Sequence, residues 1–381
     1  MTVLNFPNNP SNGDQYNANG IVYTWNGSAW TASDANDLND RFVQLDGDTM
    51  TGNLDVPSIN DGHAGPENVI INGEMKVNQR ATAVTGDLEF PVDRWRINKN
   101  DHGDYSGTQD ADHPPGFGQS VQISCTTAKP ALNNSSLFMI FQRIEGFNVQ
   151  PFAKGFAEAK PFSVSFWFKT NKQGTYIVRL RDVVNSRSVS HAFEVTAGFE
   201  WVQYSHTFPA DTEGDWPSSN TNALEFQLWL CAGSDYTTGP LQTTWAPASG
   251  VNLAAGQVNF FDSTNNRAFL TGVQLTPSPA PIAFQHEDYS TILSKCQRYY
   301  GTFDGSFLGF VYITSGASTS GRIAECGFPV TMRTIPTVTA SRVNWSTEST
   351  AISIDRAKFE GSADNIAQTT YVTDVEADAE L

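Results

Sequence analysis

Leu224, Phe226, Leu228 and Leu230 are separated one by one by Glu225, Gln227 and Trp229. Side chains of a strand point to opposite faces with a period of two, so the four apolar residues share one face and the other three share its reverse. The same period puts Val121, Ile123 and Cys125 on one face of a second segment, and Val164, Phe166 and Phe168 on one face of a third. Short runs of this kind recur between clusters of Gly, Pro, Asn and Asp. The strands they predict are 68–71, 90–97, 120–125, 137–144, 162–170, 176–181, 192–195, 201–208, 224–231, 258–261 and 268–275. Many short strands at such spacing predict an all-β chain whose residues 66–284 form a two-sheet sandwich of jelly-roll type.

The chain has 381 residues, enough for two or three domains. Only 17% of them are charged, and the formal net charge is -17. So acidic a chain repels phosphate backbones and anionic headgroups, which argues against nucleic acid and membrane surfaces as partners. No apolar run reaches the roughly 20 residues a spanning helix needs. MTVLNFPNNP lacks a basic segment followed by an apolar one, so a secretory signal is not expected.

Residues 1–32 predict a small β meander, with Asn26-Gly27 as a hairpin turn and Tyr16, Tyr23, Trp25 and Trp30 as a miniature core. Fewer than ~40 residues rarely fold alone, so this module needs a partner. Residues 33–65 follow as a short helix, a turn and a linker. Leu38, Phe42 and Leu45 fall at i, i+4 and i+7, and Met50 and Leu54 continue the apolar series past the Asp46-Gly47-Asp48 turn. That seam fits an ordinary helix and turn, or a junction at which three copies meet on an axis. Farther on, Tyr289, Ile292, Leu293 and Cys296 form a helical stripe leading residues 285–381, a second, C-terminal β-sandwich.

Catalytic and metal motifs are missing. The six histidines are dispersed without H-x-x-x-H or H-E-x-x-H spacing, and neither a phosphate loop nor a G-x-S-x-G elbow occurs. The acidic stretches DANDLNDRF and DTEGD depart from the calcium-loop pattern. Cys125, Cys231, Cys296 and Cys326 have no paired spacing and read as buried thiols rather than zinc ligands, with a Cys296–Cys326 disulfide as the alternative. No cofactor, metal or enzymatic activity is therefore expected. Trp216 and Trp245, each beside a proline in a polar loop, and Tyr236 are the candidate ligand-binding residues. Such a ring either stacks on a pyranose or clamps its loop to the sandwich.

Several segments carry a resemblance. Leu45-Asp46-Gly47-Asp48-Thr49-Met50-Thr51-Gly52 resembles a segment of bacteriophage tail-fibre proteins that sits in the shaft of a homotrimer. Phe6-Pro7, Gly13-Asp14 and Tyr23-Thr24-Trp25-Asn26-Gly27 resemble a module near the starts of such proteins. Asn72-Gly73-Glu74-Met75, Gln79-Arg80, Asp93-Arg94-Trp95, Gln142-Arg143-Ile144-Glu145 and Thr271-Gly272-Val273-Gln274-Leu275 resemble phage receptor-binding jelly rolls of the carbohydrate-binding-module kind. Cys296-Gln297-Arg298-Tyr299-Tyr300, Thr331-Met332-Arg333-Thr334-Ile335-Pro336 and the closing Asp378-Ala379-Glu380-Leu381 resemble the C-terminal β domain of many phage tail proteins.

The resemblance implies a virion tail fibre made in the cytoplasm of the bacterial host. It would be a homotrimer docked through its N-terminus to a tail, baseplate or adaptor protein. Its function would be adhesion to a host surface glycan, with most contact made by residues 291–381. A purely structural tail spacer and a polysaccharide depolymerase are the alternatives. If Leu38, Phe42 and Leu45 only pin the register of a trimer held mainly by the sandwiches, replacing all three with Ser should loosen the docking end. The distal trimer should persist in sedimentation, and a wholly monomeric product would reverse that hierarchy.

Overall fold

Eleven residues of alternating character, Asn222–Ala232, form the longest strand among the described residues, and two sheets are built around and against it. The computed structural model describes residues 6–18, 21–32, 67–80, 82–196, 198–303, 307–308, 310–312, 321–343, 345–363 and 371–381. The expected helix, turn and linker over 33–65, with Leu38, Phe42, Leu45, Met50 and Leu54, lie outside them. The chain divides into two compact units, Met1–Ala64 and Gly65–Leu381.

In the first unit, β1 (Gln15–Ala18), β2 (Ile21–Trp25) and β3 (Trp30–Ala32) form an antiparallel meander. Phe6 stacks on Trp30 at 5.4 Å and meets Tyr23 edge-on at 5.0 Å. The Asn26 side chain accepts the amides of Ser28 and Ala29, closing the hairpin turn.

The second unit opens with a jelly-roll sandwich. Its strands in chain order are β4 (Arg96–Asn100), β5 (Asp104–Asp110), β6 (Ser120–Thr127), β7 (Leu137–Glu145), β8 (Phe162–Thr170), β9 (Gly174–Asp182), β10 (Arg187–Val195), β11 (Val202–Phe208), β12 (Asn222–Ala232), β13 (Ala246–Pro247) and β14 (Arg267–Thr276). One sheet has the order β13-β10-β9-β12-β7-β4 and the other β11-β8-β14-β6-β5. Between them lies a core that includes Trp95, Phe166, Leu224, Phe226 and Leu228, all sealed from solvent.

Three expected strands differ. Residues 68–71 run into a turn, since the Asn68 side-chain oxygen accepts the amides of Ile70 and Leu275 instead. Residues 90–97 become a strand only at Arg96, because Arg94 takes a φ of 72° that no strand accommodates. Residues 258–261 give way to a turn of 3-10 helix, where Asn259 caps the amide of Phe261. Strand β5 was not foreseen, its polar DYSGTQD sequence showing no clear alternation.

A helix, α1 (Tyr289–Gln297), capped by Asp288, leads into the last part of the chain and buries Ile292 and Cys296 against Val77. There β15 (Tyr300–Phe303), β16 (Phe307–Leu308), β19 (Thr337–Val343) and β22 (Tyr371–Asp378) make one sheet. The other contains β17 (Phe310–Tyr312), β18 (Gly321–Gly327), β20 (Trp345–Ile352) and β21 (Arg356–Ala363), with its own core around Phe359, Met332 and Val375. All four cysteines are free and buried.

His102 is buried among Phe261, Phe138 and Tyr105, with its ring 4.3 Å from that of Phe261 and neither ring nitrogen hydrogen-bonded. Burial pushes its pKa from 6.5 down to about 4. The fold favours the neutral ring, so the folded chain takes up fewer protons than the unfolded one between pH 6.5 and about 4, and stability falls as pH drops through that window. Asp93, raised to about 6 by burial against the opposing pull of Arg80 and Gln79, acts in the other direction. His102→Leu should therefore be neutral or stabilising at neutral pH and reduce the acid-side loss by about 2 kcal/mol. Denaturant titrations at neutral and mildly acidic pH would read this, and a pH dependence unchanged from the parent would refute it.

Candidate functional site

The reverse of β12, which carries Glu225, Gln227 and Trp229, also leaves solvent almost completely. Pairing with β7 sets Glu225 opposite Arg143, Gln227 opposite Phe141 and Trp229 opposite Met139. Pairing with β9 sets the same residues opposite Arg181, Arg179 and Ile177. Three rows therefore cross this outer face of the six-stranded sheet: Met139-Trp229-Ile177, Phe141-Gln227-Arg179 and Arg143-Glu225-Arg181. Character changes from apolar to ionic over four residues of strand.

Each row has its own chemistry. In the first, the segment from Gly233 to Ala254 folds over the sheet, bringing Tyr236 to 5.5 Å from the Trp229 ring and adding Leu241 and Leu253. In the ionic row, Glu225 accepts from Arg143 Nε and Arg181 Nη1, each at 3.2 Å. The middle row links the two: Gln227 Nε2 donates to Glu225 at 2.8 Å, while Gln227 Oε1 accepts from Arg179 Nη1 at 2.8 Å. Arg179 is 3% exposed, and its Nε has no partner. Burial, aided by the nearby Arg181 and opposed by Glu225, brings its pKa down to about 10, so it stays charged at neutral pH. The Trp229 indole N–H also lacks an acceptor.

Where the covering segment stops, a cleft of about 310 Å³ remains, bounded by these rows, Asn98 and Gly250. That is the lower end of the size range of small-molecule sites. Apolar and aromatic surface on one side and a fixed fan of donors on the other suit a ligand with both an apolar face and hydroxyl or acid oxygens.

The structure brings Tyr236 to this cleft but places Trp216 and Trp245 elsewhere, as rings that clamp their loops to the sandwich. Trp216 is 6% and Trp245 8% exposed. The Trp216 ring meets Phe152 and Phe162 edge-on, at 6.3 and 6.0 Å. Its loop is drawn inward because the buried Lys154 ammonium pairs with Asp182 and Asp211 and also donates to the main-chain oxygens of Glu213 and Gly214. Trp245 packs on Phe162, and its indole N–H donates to Pro209 at 2.9 Å. No ring face is left for a ligand.

A larger cavity, of about 780 Å³, lies where the jelly roll meets the last strands, and several of the charged groups in and around it are engaged within the protein. Arg80 reaches Asp93 and Glu380, Arg94 reaches Glu380, and Arg96 and Arg143 donate to the main-chain oxygen of Leu381. This is a structural joint. Among the described residues no group of three or more His, Cys, Asp or Glu could hold a metal ion, and no helix is long and apolar enough to cross a membrane.

No family model matches the chain, and no curated protein does. Among solved structures, the enzymatically active domain of bacteriophage CBA120 tailspike protein 4 aligns at 12% identity and a TM-score of 0.30, over 55% of this chain and 21% of that one. A putative sugar-binding protein from Bacteroides thetaiotaomicron aligns at 12% identity and a TM-score of 0.30, over 56% of this chain and all of its own (100%). A family 61 carbohydrate-binding module, solved with beta-1,4-galactotriose, aligns at 12% identity and a TM-score of 0.28, over 56% of this chain and 99% of its own.

If Trp216 is a core residue, Trp216→Ala should lower the unfolding free energy by about 3–5 kcal/mol, the usual cost of emptying an aromatic site. Chemical denaturation measures this. Unchanged stability would return the residue to the surface.

Proposed function

We propose that this protein is a non-enzymatic adhesin whose glycan site is the cleft on the outer face of the six-stranded sheet. The observation that carries the reading is the cross-strand array on β7, β12 and β9. An apolar and aromatic row lies beside Gln227 and Arg179, whose side chains are already fixed by hydrogen bonds. A sugar has the matching construction, with C–H groups on a ring face and hydroxyls around its rim. Tyr236 and Leu253 would take the ring face, while Asn98, Gln227 and the guanidiniums would take the hydroxyls. Because the donors are held before binding, little conformational entropy remains to be lost.

The tail-fibre setting, the homotrimer and the virion location rest on the resemblance of the Leu45–Gly52 stretch, the Cys296–Tyr300 run and the closing residues. In a trimer, three copies of a small cleft would reinforce one another, since binding at one site raises the effective concentration at the others. Deleting residues 291–381 is a poor test of where the glycan binds, because it removes the partners of buried Arg94.

Point variants avoid that difficulty. A β-carbon on Gly250 would meet only an ordinary 3.4 Å contact with the Asp235 main-chain oxygen, so Gly250→Trp should fold and obstruct the cleft mouth. On a glycan array, with hits confirmed by calorimetry, Gly250→Trp should abolish binding and Tyr236→Ala should weaken it roughly tenfold, the scale of one aromatic contact. Full binding by both variants would remove the site from this face. An array with no hits would favour the spacer, and shortening of a bound polymer would favour the depolymerase.

A further inference from the structure

Three guanidiniums and one carboxylate meet in the cleft of a protein whose formal net charge is -17. Glu225 is shared by Arg143 and Arg181, and Arg143 also donates to the main-chain oxygen of Leu381 at 2.6 Å. Arg179 stands apart. Among the described residues no carboxylate pairs with it directly; its one hydrogen-bond acceptor is the neutral amide oxygen of Gln227, and its Nε is unpartnered. A guanidinium taken out of water without a direct counter-charge is costly, and Glu225 reaches this one only through Gln227.

The register explains how the excess arises. Arg179 and Arg181 are two residues apart on β9 and share a face, and Glu225 on β12 stands opposite Arg181, not Arg179. The one acid of the cleft thus pairs with the two outer arginines and leaves the deeper one without a direct ion pair. Planar guanidinium groups match a carboxylate in two-point fashion, with bonds about twice as strong as neutral ones.

We propose that the sugar residue seated over Arg179 carries a carboxylate, which makes the ligand class a uronic-acid-containing polysaccharide. This specificity rests on the glycan-binding reading of the same cleft. Arg179 and Arg181 grip the acid group, Gln227 holds Arg179 in place, and the ring lies toward Tyr236. Glu225 limits the attraction to one acid group by occupying Arg143 and part of Arg181.

The test uses the full chain and oligomers of galacturonate, glucuronate and mannuronate, each beside its carboxyl-reduced neutral counterpart, with dextran sulfate as a second polyanion. Calorimetry should find at least one uronate oligomer binding about tenfold or more tighter than its reduced twin, with the advantage shrinking as salt rises. Arg181 is 43% exposed, so Arg181→Gln should fold normally; it should cut uronate affinity about tenfold more than it cuts that of the reduced twin. Arg179→Gln, its fold checked by circular dichroism, should erase the preference. Equal binding of acid and reduced forms, blocked by Gly250→Trp, would overturn the acidic specificity and leave the glycan reading standing. Dextran sulfate binding as tightly, with the same dependence on both arginines, would overturn the choice of carboxylate. Failure of every oligomer to bind would overturn the uronate specificity, while hits on the glycan array that Gly250→Trp abolishes would keep the glycan reading.

Discussion

Arg94 is 2% exposed, and its charge is met by Glu380, almost three hundred residues away in sequence and with a side chain only 7% exposed. The jelly roll and the last strands depend on this pair and on the contacts gathered round it. Arg94 also lies over the Tyr299 ring at 3.4 Å and donates to the Arg143 main-chain oxygen at 2.7 Å. Arg80 covers Tyr300 at 3.6 Å, Arg298 pairs with Glu145 at 3.0 Å, and Arg333 donates to the main-chain oxygens of Ala379, Glu380 and Asn220. A buried ion pair adds little net stability over a well-packed apolar one, but losing one partner costs several kcal/mol. Such a joint therefore specifies one arrangement and penalises others.

Within the second unit, the segments that carry the resemblance to phage tail proteins meet at this joint or brace it. Gln79-Arg80, Asp93-Arg94-Trp95, Gln142 to Glu145, Arg298 to Tyr300, Arg333 and Glu380 are in contact there. Asn72 accepts the Trp95 indole N–H, and Gly73 passes so close to Val273 that a β-carbon would lie 2.1 Å from its carbonyl oxygen. With most of their polar groups engaged inside the protein, these residues set geometry and leave recognition to others. Arg143 is the exception: one end of its guanidinium is held by Leu381 and another by Glu225. Through it the joint positions the ionic row of the cleft.

Much of the sandwich could be read from the chain because alternation is a local signal. Residues 162–170 were delimited as a strand to the residue, and the inward set from Leu224 to Leu230 was assigned to one face. What the reverse face does was not readable in the same way. Gln227 acquires meaning only when Arg179 and Phe141 stand beside it, and those neighbours come from strands 48 and 86 positions away whose pairing no local pattern encodes. For Trp216 and Trp245 the sequence left two readings open for a related reason. Proline and polar neighbours mark a loop, but whether the loop stands off or is drawn down depends on Lys154, Asp182 and Asp211, which are remote in sequence. The polar sequence of β5 hid it because its strand status comes from pairing with β6 rather than from its own pattern.

Ionic groups thus serve two opposite ends in one unit. At the joint, Arg80 and Arg94 face Asp93 and Glu380, so cations and acids balance and the surroundings close over them. On the outer sheet face the balance is incomplete, and there the surroundings stay open as a cleft. Desolvation penalises an unpaired charge wherever it lies, but in a closed interior the penalty is permanent, whereas at an open site a ligand can lift it. An uncompensated Arg179 in the joint would only subtract from stability. Placed beside Gln227 at the floor of a cleft, the same group gives an anionic ligand an interaction that water and neutral sugars reproduce less well, and selectivity follows from the position of the charge rather than from its number.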